Sequence, residues 1–276
     1  MCPVSPQEML PMPENERLRS LAPRELRELA RVGKLNRRTA GLAAGHVQAN
    51  LAIVPADLAF DLLLFCQRNP KPCPLLDVTE PGDPEPKWAA PGADLRTDLG
   101  LYSIYRFGEK VAEVEDLRGC WRDDLVAFML GCSFTFDSAL LAARVPMHHL
   151  MGSQHIPAYI SGIECRPTRR LHGRMVVSMR PVPAREVPRV VQITARHPYG
   201  HGAPIHVGDP GIIGIEDLSR PDFGDPPRLE AGDVPVFWGC GITPQAVAMD
   251  SKPELMITHA RGRMFLTDLC AEGLAT

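Results

Sequence analysis

Residues 234–249, VPVFWGCGITPQAVAM, decide the fold class. Val234–Trp238 is an apolar, β-prone run, Gly239-Cys240-Gly241 is a tight turn, and Thr243-Pro244 opens a helix with Thr at the N-cap and Pro at the first helical position. A strand that feeds directly into a helix is the unit of a layered α/β protein. Nearby sequence repeats the alternation. RMVVSMRP (174–181), APIHVGD (203–209) and LMITHA (255–260) have strand texture, and PAREVPRVVQITARH (183–197) reads as a helix interrupted early by Pro188. This order implies α/β layers in a mixed sheet, with some parallel pairing.

Toward the N-terminus, Leu18, Leu21, Leu26, Leu29 and Val32 recur at helical spacing within residues 14–38. VQANLAIVPADLAFDLLLFCQRNP (47–70) reads as a buried segment followed by a helix, with Asp57 as a cap and the prolines of NPKPCP ending it. Residues 79–93 are Pro/Gly-rich and aperiodic. GLYSIYRFGEKVAEV (100–114) alternates as a hairpin turning at Phe107–Glu109. RDDLVAFMLG (122–131) reads as a helix, then comes GCSFTF, then a second helix DSALLAARV (137–145), so Cys132 is expected between two helices. No internal repeat or low-complexity tract is read. The expected division is a main α/β lobe from 1–150 and 231–276, with a smaller α+β subdomain from 151–230.

The chain has 276 residues, 45% apolar and 23% charged, which suffices for a proper core. A net charge of −3 with no arginine stripe among aromatics gives no field for nucleic acid and points to a small-molecule ligand. Met1–Ser20 has no signal-peptide stretch, and no apolar run approaches the ~18–20 residues that span a bilayer, so a cytoplasmic protein without membrane partners is expected. The eight cysteines form no C-x-x-C pair, and neither disulfides nor a structural zinc site is expected.

Candidate chemistry follows from position. Cys240 would sit at a strand's carboxyl end beside the exposed N–H groups of a helix start, a setting that binds anions and lowers a thiol's pKa. Gly239, Gly241 and Thr243 complete that turn as substrate-binding candidates. Cys132 is weaker, and Ser133 beside it is an anion ligand in its own right. HGAPIHVGDPG (201–211) offers His201, His206 and Asp209, with Asp209 either a turn-former or a general base. Arg180, at a strand end before Pro181, can clamp a carboxylate bidentately, and Arg166 shares that reading. His259 reads as a hairpin-end histidine with a backbone hydrogen bond, and Asp123 and Asp124 as helix-capping acids. G-x-S-x-G, H-E-x-x-H, the P-loop lysine and the dinucleotide fingerprint are absent. A cofactor-free site for a small anion is expected, with no metal ligand set, although a divalent cation is left open.

NPKPCPLLDV, WRDDLVAFMLGCSFTF, MVVSMRPVP, HGAPIHVGDP, VPVFWGCGITPQA and ITHARGRMFLTDL together resemble the putative hydro-lyase family that includes D-glutamate cyclase, over about Gly33 to Asp268. The resemblance implies an α/β fold with a second α+β subdomain and a place in amino acid metabolism. The implied reaction is cyclisation of D-glutamate to 5-oxo-D-proline with loss of water. On that reading Arg180 clamps a carboxylate and the Gly239–Thr243 turn holds the developing oxyanion. Asp209 or a histidine moves protons, and Cys240 carries a proton or forms a γ-thioester. Two alternatives stand beside it: a cofactor-independent two-cysteine amino-acid racemase, and a non-catalytic binding protein for small carboxylates. A homodimer is a further expectation from size.

Overall fold

The computed structural model describes residues 14–146 and 155–276; Cys2 and the expected boundary at 150/151 lie outside them. Its centre is β1 (His46–Pro55), whose residues from Val47 to Pro55 are all buried. β5 (Leu125–Gly131) runs antiparallel beside it in unbroken register from Ala49↔Gly131 to Pro55↔Leu125. The other edge of β1 is shared. β10 (Met256–His259) takes its C-terminal half at Ala52 and Ile53, and β11 (Phe265–Cys270) takes its N-terminal half. β2 (Leu75–Val78) continues the sheet beyond β5, and β3 (Tyr102–Arg106) and β4 (Glu109–Val114) continue it beyond β10. A second sheet has the order β6 (Ala158–Glu164), β7 (Arg174–Pro183), β9 (Asp233–Gly239), β8 (His206–Val207).

The fold is mixed α/β, but every described strand pair is antiparallel, where some parallel pairing was expected. Intercalation is the reason. α3 (Ala56–Arg68) connects β1 to β2, which point the same way, yet β5 lies between them. α5 (Val187–Ala195) likewise connects β7 to β8, with β9 between. Each crossover therefore spans a gap that a later strand fills.

β5 also corrects the helix expected at 122–131. All seven of its residues are buried, because one face meets Leu51 and Ile53 while the other meets the Phe65 side of α3. A run buried on both faces loses the period-2 signature of a strand and cannot be told from a buried helix by periodicity. The first helical region is two short helices, α1 (Glu14–Ser20) and α2 (Pro23–Arg31). Asp57 does not cap α3; it accepts a 2.9 Å ion pair from Arg170 instead. Among the described residues no helix is long and apolar enough to cross a membrane.

α2 is fastened to β11 by one side chain. Arg27 is buried, donates to the Leu266 carbonyl at 2.7 Å and grips Asp268 through two nitrogens at 2.9 Å each. Asp268 keeps 38% side-chain exposure, so water screens its end of the pair. Arg27→Met is expected to lower the urea-unfolding free energy by about 1–3 kcal/mol. Asp268→Asn should cost less, and the double variant should be no worse than Arg27→Met to within about 0.5 kcal/mol. Simple additivity in that cycle would show that the two groups do not act together.

Candidate active site

Two strand-to-helix corners meet between the sheets. β9 ends at Gly239, Cys240 follows, and α6 (Thr243–Ser251) begins with Pro244 in its first turn. β5 ends at Gly131, Cys132 follows in extended conformation, and a 3-10 turn (Ser133–Phe136) leads into α4 (Asp137–Ala142). Cys132 thus follows a strand, not a helix as expected, and the two thiols share one setting. Each sulfur accepts the backbone N–H two residues on, from Phe134 and from Ile242. Thr243 is the first helical residue and Ile242 the N-cap; the Thr243 hydroxyl donates to the Cys240 carbonyl (2.7 Å) and accepts from the Val176 N–H (3.1 Å), tying the corner to β7.

The glycines at these corners serve close approach. A Cβ on Gly131 would overlap the Tyr199 carbonyl, one on Gly239 would lie 2.8 Å from the Lys71 carbonyl, and one on Gly241 would overlap the Asn50 carboxamide. Asn50 Nδ2 also donates to the Gly131 carbonyl at 2.7 Å, so one amide touches both corners.

Close packing reverses the expected pKa effect. Burial pushes the Cys132 thiol up to about 12 and Cys240 up to about 11, while their N–H donors and the Arg180 charge pull only partly the other way. Desolvation of the thiolate outweighs the helix start, so both thiols are protonated near neutral pH.

Arg180 supplies the charge. It is buried on β7, opposite Val236, and points to the side occupied by Trp238. Its Nη2 donates to Ser133 Oγ at 3.1 Å and lies 3.3 Å from Asp137 Oδ1. The guanidinium carbon sits 5.0 Å from the Phe136 ring centroid and 5.4 Å from that of Trp238. Nε and Nη1 have no hydrogen-bond partner among the described residues, and nor do the buried hydroxyls of Ser178 and Thr135. Orphaned buried donors cost about 1–3 kcal/mol each, a cost that a bound anion, an ordered water or an ion removes. Arg180 lines a mainly apolar pocket with Leu140, Val182 and Trp238, with His155 and Arg228 also on its wall.

His201 belongs to the same region. It is buried with a left-handed backbone (φ 75°), and its Nδ1 lies 2.7 Å from the Lys71 carbonyl. A carbonyl only accepts, so Nδ1 carries the proton and Nε2 the lone pair. Burial, with the Arg180 and Lys71 charges, holds its pKa down at about 4, so the ring is neutral. Lys71 Nζ donates back to the Ala203 carbonyl at 2.8 Å and fastens the segment.

Other candidates fall elsewhere. His206 pairs with Phe237, whose side chain lies on the sheet face opposite Trp238 and Arg180, and its Nε2 contacts the Asp209 carbonyl at 2.7 Å. Asp209 is exposed and caps the 210–213 turn through the Gly211 N–H (2.9 Å). Arg166 is exposed, held only by its backbone to Asn69. His259 is buried and accepts the Leu51 N–H at Nδ1 (3.1 Å), the backbone bond expected for it. Asn50, Asp137, Thr135, Ser178 and Lys71 were not expected at the site. Asn50 alone carried a signal, as an amide inside the apolar run ANLAIVP.

Comparison with known proteins identifies the family. A family model described as D-glutamate cyclase matches residues 126–268. A relative named Putative hydro-lyase from Thermoanaerobacter sp. (strain X514) is 58% identical over 264 residues, covering 96% of this chain and all (100%) of that one. One from Stutzerimonas stutzeri (strain A1501) is 59% identical over 256 residues (93% and 97%), and Putative hydro-lyase YcsI of Bacillus subtilis (strain 168) is 54% identical over 255 residues (92% and 99%). Among solved structures, a nitrogen repressor-like protein from Methanococcus jannaschii aligns at TM-score 0.38 and 12% identity over 89% of this chain and 97% of that one, too remote to inform the site. The chain belongs to the D-glutamate cyclase family.

The two buried neutral histidines tie stability to pH. His201 and His259 titrate at about 4 in the folded protein, below the ordinary 6.5. The unfolded chain therefore binds their protons first, and their contribution is full above pH 6.5 and lost as pH falls toward 4. Each should cost about 2 kcal/mol between pH 7.5 and 5, and His201→Asn should remove about half of the resulting slope in urea midpoints. An unchanged slope in that variant would mean that His201 is charged when folded.

Proposed function

We propose that this member of the D-glutamate cyclase family binds a small amino dicarboxylate at Arg180 and expels water from it, closing D-glutamate to 5-oxo-D-proline. The observation that carries the reading is that Nε and Nη1 of buried Arg180, a residue lining a mainly apolar pocket, have no hydrogen-bond partner among the described residues. Nε and Nη1 lie on different edges of the planar fork, each beside the Nη2 that Ser133 and Asp137 hold, so they are separate donors to a carboxylate.

In the reaction the amine nitrogen bonds to the γ-carboxyl carbon and one γ C–O bond breaks. Of the three ammonium protons one stays on the lactam nitrogen, and two leave on the departing oxygen as water. The amine must therefore be neutral when it attacks. Among the described residues the pocket wall carries Arg180, Arg228 and His155, and the Asp137 carboxylate lies 3.3 Å from Arg180. His201 Nε2 is the acceptor for an ammonium proton. Protonated thiols suit Cys240 and Cys132 to proton delivery to the leaving oxygen; a γ-thioester would need the thiolate that burial disfavours. Holding the chain folded for ring closure supplies much of the rate.

Incubation with D- and L-glutamate in D2O, followed by proton NMR, tests the reading. 5-Oxoproline from the D-isomer is expected. Exchange at Cα without ring closure would indicate the racemase, and ligand-induced thermal stabilisation without turnover would indicate a binding protein. Arg180→Met is expected to lower kcat/KM at least 100-fold, about 2.7 kcal/mol, and to abolish stabilisation by glutamate. Wild-type turnover in Arg180→Met would overturn the assignment.

A further inference from the structure

We propose that the chain is an internal duplication with pseudo-twofold symmetry, and that Cys132 and Cys240 are its equivalent thiols, working as a pair on one bound molecule. No repeat was expected from the sequence; the sheet registers supply one. β1–α3–β2 with β5 inserted corresponds to β7–α5–β8 with β9 inserted. β1 and β7 are both ten residues long and end in Pro55 and Pro183; β5 and β9 are both seven residues long and end in Gly131 and Gly239. The pairings Ala49↔Gly131 and Val177↔Gly239 run on to Pro55↔Leu125 and Pro183↔Asp233 without a shift in either unit. Aligned this way, Val54-Pro55-Ala56 falls on Val182-Pro183-Ala184, and Gly-Cys-Ser-Phe-Thr (131–135) falls on Gly-Cys-Gly-Ile-Thr (239–243).

The equivalence extends to bonds. Thr135 N–H donates to the Cys132 carbonyl and Thr243 N–H to the Cys240 carbonyl, both at 3.0 Å. The contacts between units are reciprocal: Gly131 of the first meets Tyr199, in the segment after α5, and Gly239 of the second meets Lys71, in the segment after α3. Reciprocal contacts of equivalent positions are the mark of a twofold interface, here within one chain. The axis passes between the corners, so each unit offers its thiol to the same place. Asn50 bonds the carbonyl before Cys132, packs on the glycine after Cys240, and is the positioning residue that fixes their separation. Charge breaks the symmetry, because the position equivalent to Arg180 is Ala52. A ligand held by two matched thiols is thus oriented by one arginine.

This proposal takes its ligand from the cyclase reading, and its main test does not depend on turnover. Native protein is alkylated with iodoacetamide and each cysteine followed by peptide mass spectrometry, with exposed Cys120 and Cys270 as references. Modification of either corner thiol is expected to slow the other at least tenfold, and D-glutamate to protect both by a common factor. Asn50→Asp, which keeps shape but loses the donor, should shift the Cys132 and Cys240 rates at least fivefold against the references. It should lower kcat at least tenfold with KM within threefold; Asn50→Ala serves if the Asp variant does not fold. Independent alkylation of the two thiols overturns the pair. So does loosening in the Asn50 variants that also speeds labelling of buried Cys66 and Cys73. If D-glutamate is not turned over, the cyclase reading fails while mutual exclusion of alkylation still decides the pair.

Discussion

Backbone-to-backbone contact at two glycine-cysteine corners governs this molecule. Gly131 and Gly239 each touch a carbonyl of the other sheet's connecting segment, and Gly241 lies against Asn50, at distances no side chain allows. Because the sheets meet there, the residues that follow the glycines are carried into the junction. Cys132, Ser133 and Thr135 on one side and Thr243 on the other are buried there, and Cys240 is half-buried. Desolvation then sets their chemistry and keeps the sulfurs protonated.

How much of this was legible in the sequence depended on whether a segment kept one wet face. The 234–249 corner was readable because strand, turn and helix signals each occupy their own residues. β5 was not, since burial on both faces erased its period and turned Cys132 from a strand end into an apparent inter-helix residue. The alternation of strands and helices was real, but it does not report which strand enters a gap later. Arg180 and His201 were expected from type and position, and the fold sets both near the corners. His206 and Asp209 lie close to His201 in the chain yet on the far side of a sheet, and only the register of β8 against β9 shows that. Asn50 was visible as a polar break in an apolar run; its partners, 81 and more residues away, were not.

A matched frame with unmatched charge suits a small flexible acid. The frame limits volume, while the Arg180 guanidinium, with Asp137 on one side of it, fixes which end of the molecule lies where. Burying Arg180 with two nitrogens unpartnered among the described residues costs stability and favours an anion that can replace the lost water.

The shared edge of β1 bears on how the chain acquires its shape. β1 gains β5 from 70 or more residues downstream, but its opposite edge is covered only by residues 256–270. During synthesis the central strand is therefore an open edge until residues 256–270 have emerged. Such long-range pairing is slow and leaves a sticky intermediate. Truncation within 256–270 would strip the middle of the large sheet, not an ornament at its margin.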